Sequence, residues 1–315
     1  MNYLKLKQKI YEAIERNPLD RSAYEEMFAV CREYEKIDFQ TAHAWNHELR
    51  NYISWGLRMT VNCQKFDEAR EFDNLMFRSL LFGAQHFFDD YLQAVEYGKP
   101  LDKKFYQPRR HYLRRYVDAY QEILDGKLDF LSISMPKRAG KSQLGINFTN
   151  MLSGKYPDRA TLMEGTGDDL VKSFYLGCLE YLTLPSDYHF YDIFPESKLV
   201  QTNADTKIIN LLHKSRFPTV MCRSIDARQV GLSEATNICT LMTVWKDVRK
   251  QRTVRDLMTN GRSFLVILSD VPLRVRLSSS AVHDTLCMIL SVTCRKRCRS
   301  RENDARSLRH LLLIR

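Results

Sequence analysis

The sequence predicts an α/β fold with a mainly parallel, incomplete sheet, preceded by a helical N-terminal region. Three observations carry this prediction. The first hundred residues contain apolar and aromatic side chains at helical spacing and few glycines or prolines. The following stretch alternates short apolar runs with longer amphipathic segments, which is typical of parallel strands joined by helices. A glycine-containing turn separates the first apolar run from the helix after it.

Residues 1–103 form the predicted helical region. Leu4, Leu6, Ile10 and Ile14 recur at helical spacing. In the next segment, Ser22 and Glu25 have the spacing of a capping box at the start of a second helix. We interpret the many aromatic residues that follow as core packing.

Residues 104–237 carry the α/β pattern. Strand, loop, helix, strand and helix in that order imply a parallel sheet with right-handed crossovers. The predicted elements are a helix at 111–124, a strand at 128–134, a helix at 144–152, a strand at 160–163, a helix at 169–182 and a strand at 219–222.

The composition is that of a globular protein. The 315 residues are 44% hydrophobic and 27% charged. No apolar run approaches the roughly 18–20 residues that span a bilayer, and the start lacks the apolar core of a signal peptide, so we expect a cytoplasmic protein without membrane contact. The eight cysteines contain no Cys-x-x-Cys, and we interpret them as reduced thiols rather than bridges or zinc ligands.

The positive charge is concentrated at one end of the chain. Residues 238–315 hold 16 Lys plus Arg and 6 Asp plus Glu, whereas residues 1–237 hold 32 of each. The net charge of +10 therefore lies entirely in a tail that has only two aromatic residues, Trp245 and Phe264. One interpretation is a basic arm that binds nucleic acid, and the other is that this tail did not evolve with the rest of the chain.

The strongest local signal is the segment Met135-Pro136-Lys137-Arg138-Ala139-Gly140-Lys141-Ser142. A phosphate loop needs backbone N–H groups at a helix N-terminus, a Gly that leaves room for phosphate, a Lys for the β- and γ-phosphates and a hydroxyl for Mg²⁺. Gly140, Lys141 and Ser142 match the last three needs. The segment therefore predicts a P-loop NTPase-type (Walker A) site for ATP and Mg²⁺. Met135 replaces the usual first Gly, and a solvated helix start is the alternative.

Two flanking features extend this predicted site. Lys137 and Arg138 place positive charge where charge develops on a γ-phosphate, and two solvated bases are the alternative. Upstream, the side chain of Gln107 can both donate to and accept from an adenine edge, and Tyr106 can stack on the ring. A plain loop is the alternative there. The predicted catalytic residues are Lys141, Arg138 and Lys137, and the predicted cofactor-binding residues are Gln107, Gly140, Lys141 and Ser142, with Ser142 also binding Mg²⁺.

Together these residues resemble the ATPase half of the large terminase subunits of tailed bacteriophages. That family has a phosphate loop without the first Gly and with a basic residue inside it, and an upstream adenine-contacting Gln, which Gln107 matches. Segments 174–180, 192–196 and 222–226 look like one branch of the family. The resemblance implies viral DNA packaging in the bacterial cytoplasm, with double-stranded phage DNA, the small terminase subunit and the procapsid portal as partners, and a homo-oligomer when intact.

The resemblance ends near residues 231–237. The family next has an apolar strand that ends in two acids, which hold the Mg²⁺ shell and position the attacking water. Residues 238–244 contain no carboxylate, and Asp247 does not end an apolar strand. The family's coupling segment and acidic nuclease domain are also missing.

A shifted reading frame explains where the resemblance ends. Met is encoded by ATG and Thr by ACN, so reading Met242-Thr243 from the third base of the Met codon forces GAC, an Asp. In the same frame Trp245-Lys246 forces GAA, a Glu. We hypothesise a frameshift near Asn237. We therefore expect residues 238–315 to be poorly ordered and the sheet to lack the strands that should follow Asn237.

The sequence favours the ATP-binding and ATP-hydrolysing part of a DNA-packaging motor, truncated and of low activity. Two other functions stay open. One is a remnant that binds nucleotide or DNA without catalysis. The other is an unrelated helicase-type P-loop ATPase whose acid lies elsewhere, for example at Glu164.

Overall fold

A computed structural model describes the chain at residues 2–128, 130–135, 138–165, 167–215, 217–224, 237–242 and 263–269, with the backbone alone at 130, 132, 134, 237–242 and 263–269. These residues form an α/β protein with a helical N-terminal region and one mixed sheet. Within these ranges, no helix combines the length and the apolar character needed to cross a membrane.

The predicted helical N-terminal region is confirmed. Asn2, Asp20 and Asp38 cap the first three helices, because each side chain accepts a backbone N–H of the first turn. The five helices are α1 (Tyr3–Arg16), α2 (Arg21–Tyr34), α3 (Phe39–Asn62), α4 (Phe66–Ala84) and α5 (Phe88–Ala94).

The capping box predicted at Ser22 and Glu25 is wrong. Helix α2 begins at Arg21, and Asp20 is its cap, with its carboxylate 3.0 Å from the backbone N of Ser22. Glu25 instead pairs with Arg78 of α4 at 2.9 Å. An Asp two residues upstream offers a stronger acceptor than the Ser hydroxyl, so it takes the cap position.

Helices α1 to α4 enclose a first hydrophobic core that is rich in aromatic side chains. Tyr24 meets Phe72 edge-on with ring centroids 4.9 Å apart, and Tyr34 stacks on Trp45 at 4.5 Å. Full burial of one such side chain stabilises the fold by about 1.5–3 kcal/mol. The interpretation of the aromatic residues as core packing is confirmed.

The remaining elements alternate around the sheet. Two 3-10 turns, Leu101–Lys103 and Gln107–Arg109, lead from the helical region into it. The helices are α6 (Arg110–Leu124), α7 (Lys141–Lys155), α8 (Asp168–Thr183) and α9 (Phe190–Ile193), and the strands are β1 (Phe130–Met135), β2 (Thr161–Gly165), β3 (Leu199–Asn203), β4 (Ile208–Leu211), β5 (Val220–Ser224), β6 (Asn237–Met242) and β7 (Ser263–Ser269).

The seven strands lie in the order β1-β7-β6-β2-β5-β4-β3. The first five strands are parallel, which confirms the parallel arrangement predicted for β1, β2 and β5. Strand β4 pairs antiparallel with both β5 and β3. The sequence pattern does not predict the β3–β4 hairpin. Its turn is set by Asn203, whose side chain accepts the backbone N–H groups of Asp205 and Thr206.

The prediction that the sheet lacks strands after Asn237 is wrong. Strand β6 pairs with β2 and β7, and β7 pairs with β1. Both segments are short apolar runs, Ile-Cys-Thr-Leu-Met and Phe-Leu-Val-Ile-Leu, and such runs suit the interior of a parallel sheet whatever reading frame encodes them. The poor order predicted for the rest of 238–315 falls outside the described residues.

A second hydrophobic core joins the helices to the sheet and runs from Leu80 in α4 to Cys222 in β5. Ion pairs tie α5 to its neighbours on both sides. Asp90 forms a bidentate pair with Arg50 of α3, and Asp89 forms one with Arg110 of α6 at 3.0 and 2.8 Å. Helix α5 therefore fixes α6, and the segment before α6, relative to the helical region.

Candidate phosphate-binding site

The candidate site lies at the carboxyl edge of the parallel strands. Strands β1, β7, β6, β2 and β5 run in the same direction, so their carboxyl ends meet at one edge. The loop that follows β1 lies at this edge and leads directly into α7. Open parallel sheets bind their ligands at this edge, so the predicted loop stands where a ligand site is expected.

Gly140 sets the shape of the loop. It has φ +97 and is the N-cap of α7, with its carbonyl accepting the backbone N–H of Leu144 at 2.9 Å. A Cβ added at Gly140 would lie 2.7 Å from Cε2 of Phe105. The left-handed backbone and the close ring both require glycine.

Lys141 and Ser142 are the first two residues of α7, and both side chains are half-buried. The first N–H groups of a helix have no partner within it, and the helix dipole makes this end positive. The start of α7, the Lys side chain and the hydroxyl are therefore adjacent at the end of the loop. This set of donors fits a phosphate with a divalent cation beside it.

Arg138 is an exposed residue of the loop. It has φ +62, its side chain is exposed, and it makes no ion pair with any other residue that the structure describes. Lys137 lies outside the described residues, so its predicted role stays a prediction. The structure thus brings Arg138 together with Gly140, Lys141 and Ser142.

The segment that contains Gln107 lies next to the loop. Phe105 contacts Gly140 through its ring, and from α6 the hydroxyl of Tyr112 donates to the carbonyl of Ala139 at 3.4 Å. Gln107 begins the second 3-10 turn with an exposed side chain, which hydrogen-bonds to none of the other described residues. Gln107 therefore offers its donor and acceptor to solvent beside the loop.

Tyr106 does not have the predicted role of stacking on a ring. Its side chain is fully buried, and its hydroxyl donates to Asp89 at 2.5 Å. Burial, reinforced by the charge of Asp89, raises the pKa of this hydroxyl. In this segment the half-buried Phe105, and not Tyr106, lies beside Gly140, which the sequence pattern does not predict. In an irregular segment no periodicity indicates which of two adjacent aromatics faces inward.

Glu164 is the buried carboxylate at this edge of the sheet. It is the penultimate residue of β2, with Thr240 of β6 and Arg223 of β5 as its strand neighbours. Strands β6 and β7 lie between β2 and β1, so at about 4.8 Å per strand Glu164 is about 14 Å from β1. Among the described residues, no three His, Cys, Asp or Glu side chains cluster in a way that could hold a metal ion.

The end of β6 lies level with the start of the loop. Met242 is opposite Leu268 of β7, which in turn is opposite Ser134 of β1. Two strand spacings separate Met242 from Ser134, about 10 Å. The carboxyl end of β6 therefore lies one strand beyond β7 from the loop, and its last residue is Met242, which is not an acid.

Comparison with known proteins adds no family to this geometry. No model of a known protein family matches the chain, and none of the curated proteins compared with it is similar to it. The features that bear on function are the loop, Gly140 and the segment beside it that contains Phe105 and Gln107.

Proposed function

We propose that this chain is the nucleotide-binding half of a terminase-type DNA-packaging ATPase, which binds ATP with Mg²⁺ and turns it over slowly. The observation that carries the proposal is the turn at Gly140. A left-handed glycine, packed against Phe105, opens α7 and is followed by Lys141 and Ser142. The same three residue types in the same place make up a phosphate loop.

Each residue has a role that its position supports. Backbone N–H groups at the start of α7 would cradle the phosphates, Lys141 would contact the β- and γ-phosphates, and the hydroxyl of Ser142 would bind Mg²⁺. Arg138, with Lys137, would stabilise charge on the transferred phosphoryl group. Gln107 would contact the adenine edge. When bound, Mg²⁺ neutralises part of the phosphate charge.

The slow turnover follows from the absence of a carboxylate in residues 238–244. At the carboxyl end of β6, Met242, followed in the sequence by Thr243, stands where the family has the acids that hold the Mg²⁺ shell. Glu164 lies one strand further away. The frameshift hypothesis explains this loss, and sequencing the encoding DNA tests it. If no single-base change restores both an acidic strand end and a long downstream reading frame, the hypothesis is contradicted.

The partners belong to the same proposal. Double-stranded phage DNA, the small terminase subunit and the portal of the procapsid would be the partners, in the bacterial cytoplasm and within a homo-oligomer. The net positive charge does not support DNA binding, because residues 1–237 are neutral and the excess lies in 238–315. The support comes from the loop and from the resemblance around it.

Equilibrium binding of ATP with Mg²⁺ tests the proposal. We expect wild-type protein to bind, Lys141→Ala to lose affinity by at least about ten-fold, and Ser142→Ala to lose its dependence on Mg²⁺. Lys172→Ala is the matched control, since it removes an exposed Lys of α8. A wild-type chain that does not bind ATP, or a Lys141→Ala variant that binds equally well, would overturn the proposal.

A second candidate is a helicase-type ATPase, which the buried position of Glu164 at the carboxyl end of β2 favours. It predicts rapid hydrolysis that needs both Lys141 and Glu164. A steady-state ATPase assay of wild type and Glu164→Gln separates the two. Slow wild-type hydrolysis supports the terminase remnant, whereas rapid hydrolysis that Glu164→Gln abolishes supports the helicase-type enzyme.

A further inference from the structure

Glu96 is a buried acid outside the loop whose carboxylate has a specific task. It follows α5 and is 5% exposed. Its Oε2 accepts two backbone N–H groups, from Phe105 at 2.9 Å and from Tyr106 at 3.2 Å. Burial raises the pKa of Glu96, and these two bonds oppose the rise. A buried carboxylate is costly unless it is hydrogen-bonded, so these bonds account for its presence.

The two hydrogen bonds that Glu96 accepts fix the backbone at Phe105 and Tyr106. Side chains hold the rest of this segment. The hydroxyl of Tyr106 is anchored to Asp89, and the carbonyl of Phe105 accepts from Arg109 at 3.0 Å. Glu96 holds the two N–H groups. The backbone N–H and carbonyl of Phe105 are thus both hydrogen-bonded, and its ring lies against Gly140.

We propose that Glu96 is a positioning residue for the base end of the nucleotide site: it fixes residues 105–107 so that Phe105 packs on Gly140 and Gln107 faces the base. This inference rests on the proposed function. It predicts that Glu96 affects recognition of the base and leaves recognition of the phosphates, by the loop itself, unchanged.

Because both N–H groups donate to Oε2 of Glu96, substitutions at this one residue can test the role of both hydrogen bonds. Since one oxygen accepts both bonds, the amide oxygen of Glu96→Gln can accept them as well, and this variant should keep the function. Glu96→Met has similar length and no acceptor of comparable strength, and should lose it. Glu96→Asp withdraws the carboxylate by one methylene, and serves if the Met variant does not fold.

Two measurements on the full chain test the inference. In amide hydrogen exchange without nucleotide, we expect Phe105 and Tyr106 to exchange on the order of ten-fold faster in Glu96→Met than in wild type. In equilibrium binding, we expect Glu96→Met to weaken ATP on the order of ten-fold, to lose any preference for ATP over GTP, and to bind tripolyphosphate within about two-fold of wild type. Glu96→Gln should resemble wild type in both.

The outcomes separate the two proposals. If wild type binds neither ATP nor tripolyphosphate, the proposed function fails and this inference fails with it. If wild type binds both, and Glu96→Met weakens both equally or changes neither, the proposed function stands and Glu96 is not a positioning residue. Failure of Glu96→Gln to restore ATP binding and slow amide exchange would also overturn the inference.

Discussion

The helical region and the loop between β1 and α7 use charged side chains in opposite ways. In the helical region, bases on one helix pair with acids on another, as in Lys7–Glu48, Arg21–Glu71, Arg50–Asp90 and Arg78–Glu25. Beside the loop, Arg138 and Gln107 have no such partner among the described residues. Charges in the first region therefore hold helices together, whereas the exposed side chain of Arg138 is accessible to a ligand.

The helix starts differ in the same way. Side chains of Asn2, Asp20 and Asp38 cap α1, α2 and α3, and α4, α5 and α8 carry acids in the first turn. Helix α6 continues from a 3-10 turn. Helix α7 has Gly140 at its N-cap, no side-chain cap and no acid in its first turn. An anion at this end would supply the acceptors that the sequence omits.

Gly83→Ala should disrupt the ion pair between Arg50 and Asp90 in the helical region, and it has the largest expected effect on stability. An added Cβ would collide with the carboxylate of Asp90, which is paired with Arg50. Alanine normally stabilises a helix interior by about 0.5–1 kcal/mol over glycine. Breaking a buried pair costs about 3–5 kcal/mol. We therefore expect a loss of about 3 kcal/mol in the free energy of unfolding, measured by urea denaturation.

Gly167→Ala is the control for that change. An added Cβ there has no described atom within 4 Å, and its extended backbone suits any residue. Gly167 is the N-cap of α8, where Ala is less favourable than Gly, so the expected loss is about 1 kcal/mol or less. Equal effects of the two substitutions would show that the pair between Arg50 and Asp90 does not depend on the space at Gly83.

The stability of the helical region should fall as the pH is lowered, because of the buried His43 and the half-buried His86. Burial lowers the pKa of His43, against the opposing effect of its hydrogen bond to Glu35 at 2.9 Å, and burial also lowers the pKa of His86. A lowered pKa in the folded state means that the unfolded chain binds more protons, so stability is lost as pH falls below about 6.5.

Each such histidine contributes at most about 1.4 kcal/mol per pH unit to this slope. Denaturation of His43→Phe between about pH 7 and pH 5.5 should give a shallower slope than wild type, because Phe keeps the stacking on Phe82 without the proton. His213→Gln, which replaces an exposed histidine, is the control substitution. An unchanged slope in His43→Phe would count against this account.

Arg138→Gly should give the smallest effect and separate stability from binding. The positive φ of Arg138 costs an L-residue about 1 kcal/mol, so glycine should leave stability unchanged or raise it by up to that amount. Loss of the cation should weaken tripolyphosphate on the order of ten-fold. Gln64→Gly, at φ +58 after α3, is the matched control. It should affect stability in the same direction without changing tripolyphosphate affinity, and a parallel loss of affinity in both variants would contradict the comparison.

Periodic segments were predictable from sequence. Buried side chains at helical spacing, such as Ile10 and Ile14, placed the helical region, and the apolar run before Gly140 placed β1 ahead of the loop and α7. These predictions succeed because a long apolar stripe must be buried and the spacing tells helix from strand.

Irregular and tertiary features were less predictable. The choice between Phe105 and Tyr106 depends on Asp89, Glu96 and Gly140, which are distant in sequence and identifiable only in the fold. The strands of the tail were missed for another reason. Composition and reading frame argued against order there, but an apolar run pairs with an open strand edge whatever its origin.

Strand β1 has β7 as its sole partner among the described strands, and the two are about 130 residues apart in the chain. During synthesis, strand β1, which leads into the loop before α7, therefore emerges long before the strand that completes its hydrogen bonding. A stop codon between the two would leave β1 with an unpaired edge on both sides. The sheet edge that carries the loop is thus completed late, by residues 263–269.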